Sequence, residues 1–209
     1  VHNRLIARLR TSKTPYHHGD LRSALLDAAV AAIAESGLPS LSLRECARRV
    51  GVSHAAPYRH FEDKRALLMA IATQGFQWLT AAGRAAIDEV EDPKSRLDAY
   101  GAAYVRFAFE HPVHHRVMFS VELGPIQADL EQISGGAFGL LLECAAGLVG
   151  PGEDPELAAV AAWSLTHGLA MLILDGRIPA DRVANADGAA ALAHAVFGQW
   201  RGPLSGGGP

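Results

Sequence analysis

Apolar residues recur along this chain at spacings of three and four, the period of a helix, and no run alternates as a strand requires. Leu21, Leu25, Ala28, Ala29, Ala32 and Ile33 mark one face of a helix predicted from near Asp20 to Ser36. Asp20 lies in its first turn, where negative charge suits the helix dipole, and Gly37 ends it. Leu43, Cys46, Ala47 and Val50 make a second, shorter face. Leu67, Leu68, Ile71, Gly75, Trp78, Leu79 and Ala82 predict a long helix from Asp63 to about Val90, broken at Glu91-Asp92-Pro93. Leu97, Tyr100, Tyr104, Phe107 and Ala108 predict another from Pro93 to about Glu110. His111-Pro112 and Gly124-Pro125 bracket a short helix. A further helical stretch runs from Ile126 to Val149, weakened at Gly135-Gly136 and ended by Gly150-Pro151-Gly152. The last two helices are predicted at Asp154–Leu174 and Pro179–Trp200. The chain reads as all-α, without an internal repeat.

The segment Ser42–Phe61 carries the sharpest pattern. Ser42 is placed to cap the first of two short helices, and Glu45 three residues later completes a capping box. Gly51 supplies a tight turn, Val52 packs back into the core, and Ser53 is suited to cap the second helix. This spacing fits a helix-turn-helix, whose second helix enters the major groove of DNA. It also fits an ordinary pair of packed helices, since a glycine-containing turn between helices is common. Pro57 is unusual for a recognition helix, but near the helix start it removes at most one hydrogen bond, so a short helix is still expected.

Charge separates along the chain. Residues 1–65 hold 11 Lys or Arg against 6 Asp or Glu, whereas residues 66–209 hold 8 against 16, so a polyanion would be drawn to the N-terminal part alone. Hydrophobic residues make up 49% of the chain, which permits a sizeable core. Cys46 and Cys144 do not suggest a disulfide framework. Val1 to Thr14 is basic and has no apolar run, so no signal peptide is expected. No run approaches about 18 uninterrupted apolar residues, so no membrane span is expected. A soluble cytoplasmic protein follows.

Tyr58-Arg59-His60-Phe61, then Asp63-Lys64 and Leu67, resembles the signature of TetR-family transcriptional regulators, in which a Tyr-x-His-Phe segment ends the recognition helix and a Lys begins the next, long helix. Tyr16-His17-His18-Gly19-Asp20-Leu21-Arg22 resembles the start of the first helix in one subgroup. Trp163, His167 and Gly168, followed by Asp175-Gly176, resemble the Trp-His-Gly pattern of that subgroup's C-terminal domain. The resemblance implies an N-terminal three-helix DNA-binding domain followed by a helical ligand-binding and dimerisation domain. It divides the chain into a basic flexible arm (1–15), the helix-turn-helix domain (16–64), the effector and dimer domain (65–201) and a disordered tail (202–209). It implies that Ser42, Arg44, Ser53, His54, Ala55, Ala56, Tyr58, His60 and Lys64 face DNA. Arg44 would reach a base or phosphate, His54 to Ala56 would read bases, and Tyr58, His60 and Lys64 would hold phosphates. Two alanines leave little hydrogen-bond readout, a departure from members with polar residues there. Arg59 is open between DNA and solvent, and Phe61 is expected in the core.

Trp163 and His167 share one helix face, and Trp78, Phe107, Met118 and Phe119 lie on helices that could converge on it. They form either an effector pocket or a plain core with one satisfied histidine. The final helices carry Leu192, Val196, Phe197 and Trp200 among alanines. By resemblance they would pair with a second subunit, though periodicity alone does not separate a dimer face from a core face. The partners implied are double-stranded DNA with a palindromic operator, a small effector and a second copy of the chain, with no membrane, cofactor or resident metal. The alternatives are a small metal-dependent enzyme using His111, His114 and His115, or a helical interaction protein without DNA affinity. No paired carboxylates, nucleophile-base arrangement or phosphate loop favours an enzyme.

Overall fold

The computed structural model describes residues 21–123 and 128–199. The basic arm, the Tyr16–Asp20 match, the tail, Trp200 and the Gly124-Pro125 break lie outside them. The described residues form eight α-helices and no strand: α1 (Leu21–Ser36), α2 (Leu43–Val50), α3 (Lys64–Ile87), α4 (Pro93–Glu110), α5 (Pro112–Met118), α6 (Ala128–Ala146), α7 (Pro155–Leu174) and α8 (Ala186–Gln199).

Caps written in the sequence set most of these boundaries. The Asp63 side chain accepts from Ala66 N at the start of α3, and Asp92 does the same from Ser95 N at α4. Asp154 accepts from Glu156 N at α7. Pro93 and Pro155 sit at the first helical position, where the missing N–H costs nothing. Two expectations are corrected. The helix expected from Pro179 starts at Ala186, because Asn185 caps it through Gly188 N and Pro179–Arg182 instead form a turn. Val183, buried between them, pins that turn to the core. The stretch expected to weaken at Gly135-Gly136 is one unbroken α6. Its packing on α3 and α7 outweighs the low helix propensity of glycine.

α3 is the axis of the molecule. Its Leu67, Leu68 and Ile71 join Leu25, Leu26, Ala29 and Ile33 of α1, and Cys46 of α2, in one core. Phe76 and Leu79 continue that core to Phe107 of α4 and to Val117 and Met118 of α5. Each fully buried aliphatic side chain contributes roughly 1.5–3 kcal/mol, so the helix-turn-helix and the C-terminal helices share a continuous apolar connection. α4 packs on α3 with one side and on α7 and α8 with the other. α7 is long and apolar enough, by length and composition, to cross a bilayer. Here Ala158, Ala159, Ala162, Leu169 and Ala170 are buried, while Leu157, Val160 and Leu172 remain exposed.

Candidate nucleic-acid interface and ligand groove

Ser42 caps α2, its hydroxyl accepting from Glu45 N at 3.2 Å. The other half of the expected capping box does not form. The Glu45 carboxylate instead takes Arg48 at 2.7 and 2.8 Å and Arg49 at 2.8 Å, and those bonds hold its pKa down at about 2. Arg49 also grips Glu35 at 2.7 and 3.0 Å, tying α2 to α1. Gly51 then turns the chain in the left-handed region, at φ 79 and ψ 30, where a side chain would be strained. Its N–H and that of Val52 both return to Ala47 O.

The expected second helix is corrected by the structure. After Gly51 there is no α-helix but a turn, Ala56 N to Ser53 O, and one 3₁₀ turn at Pro57–Arg59. Ser53 makes no side-chain cap there. Pro57 explains the missing α-turn, because it lacks the N–H that would bond back to Ser53 O. Pro57 and Phe61 are buried on the inner side, with the Arg22 guanidinium 5.4 Å above the Phe61 ring. Ser53, His54, Ala55, Tyr58, Arg59 and His60 are exposed on the outer side, Tyr58 by 52%. Ala56 is half-buried, and Ser42 and Arg44 are exposed at the start of α2. Lys64 departs from this set. Its ammonium donates to Leu38 O at 2.9 Å and pairs with Glu122 at 2.9 Å.

A groove of about 720 Å³ lies between α4, α6, α7 and α8. Leu97, Tyr100, Leu141, Trp163, Leu165 and Phe197 give it apolar walls, with Tyr104 and Thr166 within and Lys94, Asp98 and His194 also lining it. His194 and Asp98 meet at 2.6 Å across α4 and α8. Phe197 lies against Gly101 of α4, so close that a β-carbon there would sit 2.5 Å from its ring. Phe197, Leu192 and Val196 are partly buried against α4 and α7 within the chain. Of the six residues expected to bind ligand, Trp163 lines the groove.

His167 and Phe119 gather behind it, packed on Trp163. Tyr104 OH lies 2.8 Å from His167 Nδ1 and 3.1 Å from His115 Nε2. Phe119 packs on His167, His115 and Trp163. Met118 presses on Gly75 of α3. Trp78 stands apart with His111 and His114 against its ring, and Phe107 touches His111. Burial drives the pKa of His115 down to about 3, with His167 and Arg116 adding to it, and that of His114 to about 4. Each imidazole of the histidine cluster in the metal-enzyme alternative has its own partners: His114 bonds Gln74 at 3.0 Å, His115 turns to Tyr104, and His111 faces Trp78 and Phe107. Among the described residues no three His, Cys, Asp or Glu side chains gather to hold a metal.

Residues 25–71 match the model of bacterial regulatory proteins of the tetR family, and residues 97–197 match the tetracyclin repressor-like C-terminal domain. This chain belongs to the TetR family. A Rhodococcus sp. RHA1 protein of unknown function is 36% identical, with 88% of this chain and 97% of that one aligned at a TM-score of 0.71. The TetR regulator PfmR of Thermus thermophilus is 25% identical over 83% of this chain and 96% of its own, at a TM-score of 0.66. The HTH-type transcriptional repressor KstR2 of Mycobacterium tuberculosis is 31% identical over 94 residues, 45% of each chain. That match spans about half the length of the curated relative. As a TetR chain, this protein differs from the expected pattern in two ways. Pro57 shortens its recognition segment to a single 3₁₀ turn, and Lys64, which begins the long helix as the signature requires, is paired inside the molecule. Asp98, Thr166 and His194 also line the groove, and no local motif marks them.

Proposed function

We propose that this chain is a transcriptional repressor. It binds a palindromic operator in double-stranded DNA as a homodimer in the cytoplasm, and it releases the operator when a small, largely apolar ligand fills the groove. The observation that carries the DNA reading is the two-sided recognition segment. Pro57 and Phe61 anchor its back in the core, His54, Tyr58 and His60 are exposed on its open edge, and Arg44 is exposed at the start of α2. Hydroxyl, imidazole and guanidinium donors on a rigidly backed edge suit phosphate oxygens and guanine. The separate partners of His111, His114 and His115 weigh against the metal-enzyme alternative.

A single recognition segment contacts few base pairs, so a symmetric pair is needed to read an operator. α7 offers the surface for it. Leu157, Val160, Ser164 and Leu172 lie on its open side at helical spacing, with Leu157 exposed by 67% and Leu172 by 47%. Ala191 and Ala195 of α8 are also exposed, and small residues permit close helix approach. For the ligand, the groove has the volume of a drug-sized site and mostly apolar walls with a few polar groups.

Retardation of duplex DNA from upstream of the protein's own gene tests the reading. Binding is expected for the unmutated chain, and Arg44→Ala should cost roughly 1–3 kcal/mol and relax preference at one position. Failure to retard any upstream fragment over competitor DNA would remove the repressor reading. A thermal-shift screen of apolar metabolites, repeated with Trp163→Ala, tests the groove.

A further inference from the structure

Lys64 and Arg65 open α3 beside the recognition segment, and both are committed to one short turn. Glu122 pairs with Lys64 at 2.9 Å, and Leu123 O accepts from Arg65 Nε at 3.0 Å. That turn, Val121–Leu123, follows directly from α5, which carries His114, His115 and Met118. It is held firmly. Leu123 is buried in the main core, and Ser120 Oγ accepts from Glu122 N at 3.1 Å. The Lys64 and Glu122 side chains are 33% and 31% exposed, so the pair is partly shielded yet reachable from solvent. The Lys64 ammonium has three donors. One goes to Leu38 O and one to Glu122, and the carboxylate beside it cancels most of its field toward an approaching phosphate.

We propose that Glu122 is an internal competitor of DNA phosphate for Lys64, so that the turn after α5 sets how strongly the start of α3 grips DNA. This rests on the DNA-binding reading above. A phosphate must share Lys64 with a carboxylate or displace it, and either costs affinity. Displacement of Glu122 frees the ammonium. Because the same turn is continuous with α5, a shift of that helix moves the competitor. The chain thereby carries a brake on its DNA affinity, placed where the effector domain meets the DNA-binding domain.

The test uses the full chain and labelled random-sequence duplex DNA, since phosphate contacts do not depend on sequence. Glu122→Gln should bind about two- to fivefold tighter for each recognition segment that touches DNA, the worth of one partly exposed ion pair. Glu122→Asp keeps the charge and should stay near the unmutated chain. Lys64→Ala should weaken binding and lower the salt slope by about one per segment. In the Lys64→Ala background, Glu122→Gln should have little effect, because its gain acts through Lys64. Circular dichroism checks that each variant is folded, and Glu122→Ala repeats the measurement should the glutamine variant not fold. If Lys64→Ala weakens binding while neither Glu122→Gln nor Glu122→Ala strengthens it, the brake is overturned and the DNA reading stands. If Glu122→Gln strengthens binding equally without Lys64, general repulsion replaces competition and the proposal falls. If Lys64→Ala changes nothing, the phosphate role of Lys64 fails and the brake fails with it.

Discussion

Acidification should destabilise this chain before its carboxylates titrate. His115 is fully buried, and burial pushes its pKa from an ordinary 6.5 to about 3. His114 is driven to about 4 by burial and by His111 nearby, and His167 is lowered by burial. The folded chain holds these rings neutral, whereas the unfolded chain protonates them near 6.5. Below that pH the unfolded state binds more protons, so stability is full above it and falls progressively toward the folded values. Going from about pH 8 to about pH 5, His114 and His115 should each cost roughly 2 kcal/mol, about 4 together, with His167 adding in the same direction. That is a large share of the 5–15 kcal/mol or so that typically holds a folded chain. The carboxylates act in another window. Glu45, held at about 2 by Arg48 and Arg49, contributes stability that is lost only as pH falls below its ordinary 4.5. Urea unfolding followed by circular dichroism, at constant protein concentration and several pH values, measures the slope. His115→Phe removes one titrating ring and should flatten it. Stability that stays level from about pH 8 to about pH 5, or a His115→Phe variant with the unmutated slope, would refute the burial argument.

Tyr104→Phe removes the hydroxyl shared by His115 and His167, leaving buried ring nitrogens unpaired, and should cost about 1–3 kcal/mol in a melting experiment. Leu172→Arg places a charge on the open side of α7 and should give folded monomers in sedimentation, whereas an intact dimer would move the interface elsewhere. Ser42→Ala deletes the cap of α2 and should lower stability by about 1 kcal/mol in denaturant unfolding, with no loss if the cap is idle.

Local chemistry made most of the fold legible. Asp92-Pro93 and Asp154-Pro155 are start signals that need no tertiary information, and α4 and α7 begin where they point. Pro179 carried a similar signal and misled, because the chain there was free to take either of two starts. The buried Val183 and the Asn185 cap decide for the later one. Pro57 misled in a different way. One lost hydrogen bond is cheap in a long helix, but the recognition segment has few bonds to lose, and its helix is reduced to one 3₁₀ turn.

The site was legible only as far as it is local. The exposed edge from Ser53 to His60 could be read from the motif, because its neighbours in sequence are also its neighbours in space. The proposed dimer face could not. α7 and α8 are apolar on more than one side, so periodicity offers several faces and none is marked as free. Two tertiary facts bear on the proposed face: Gly101, on another helix, leaves a notch that Phe197 fills, and Leu157, Val160 and Leu172 of α7 are exposed apolar side chains. The contacts of Lys64 and Arg65 are further from legible. Arg65 and Leu123 are 58 positions apart, and a lone glutamate in a turn has no pattern to announce its partner. A motif names the cation that should meet a phosphate, but its strength depends on which carboxylate the fold sets beside it. In this chain that carboxylate is Glu122, supplied by the turn after α5.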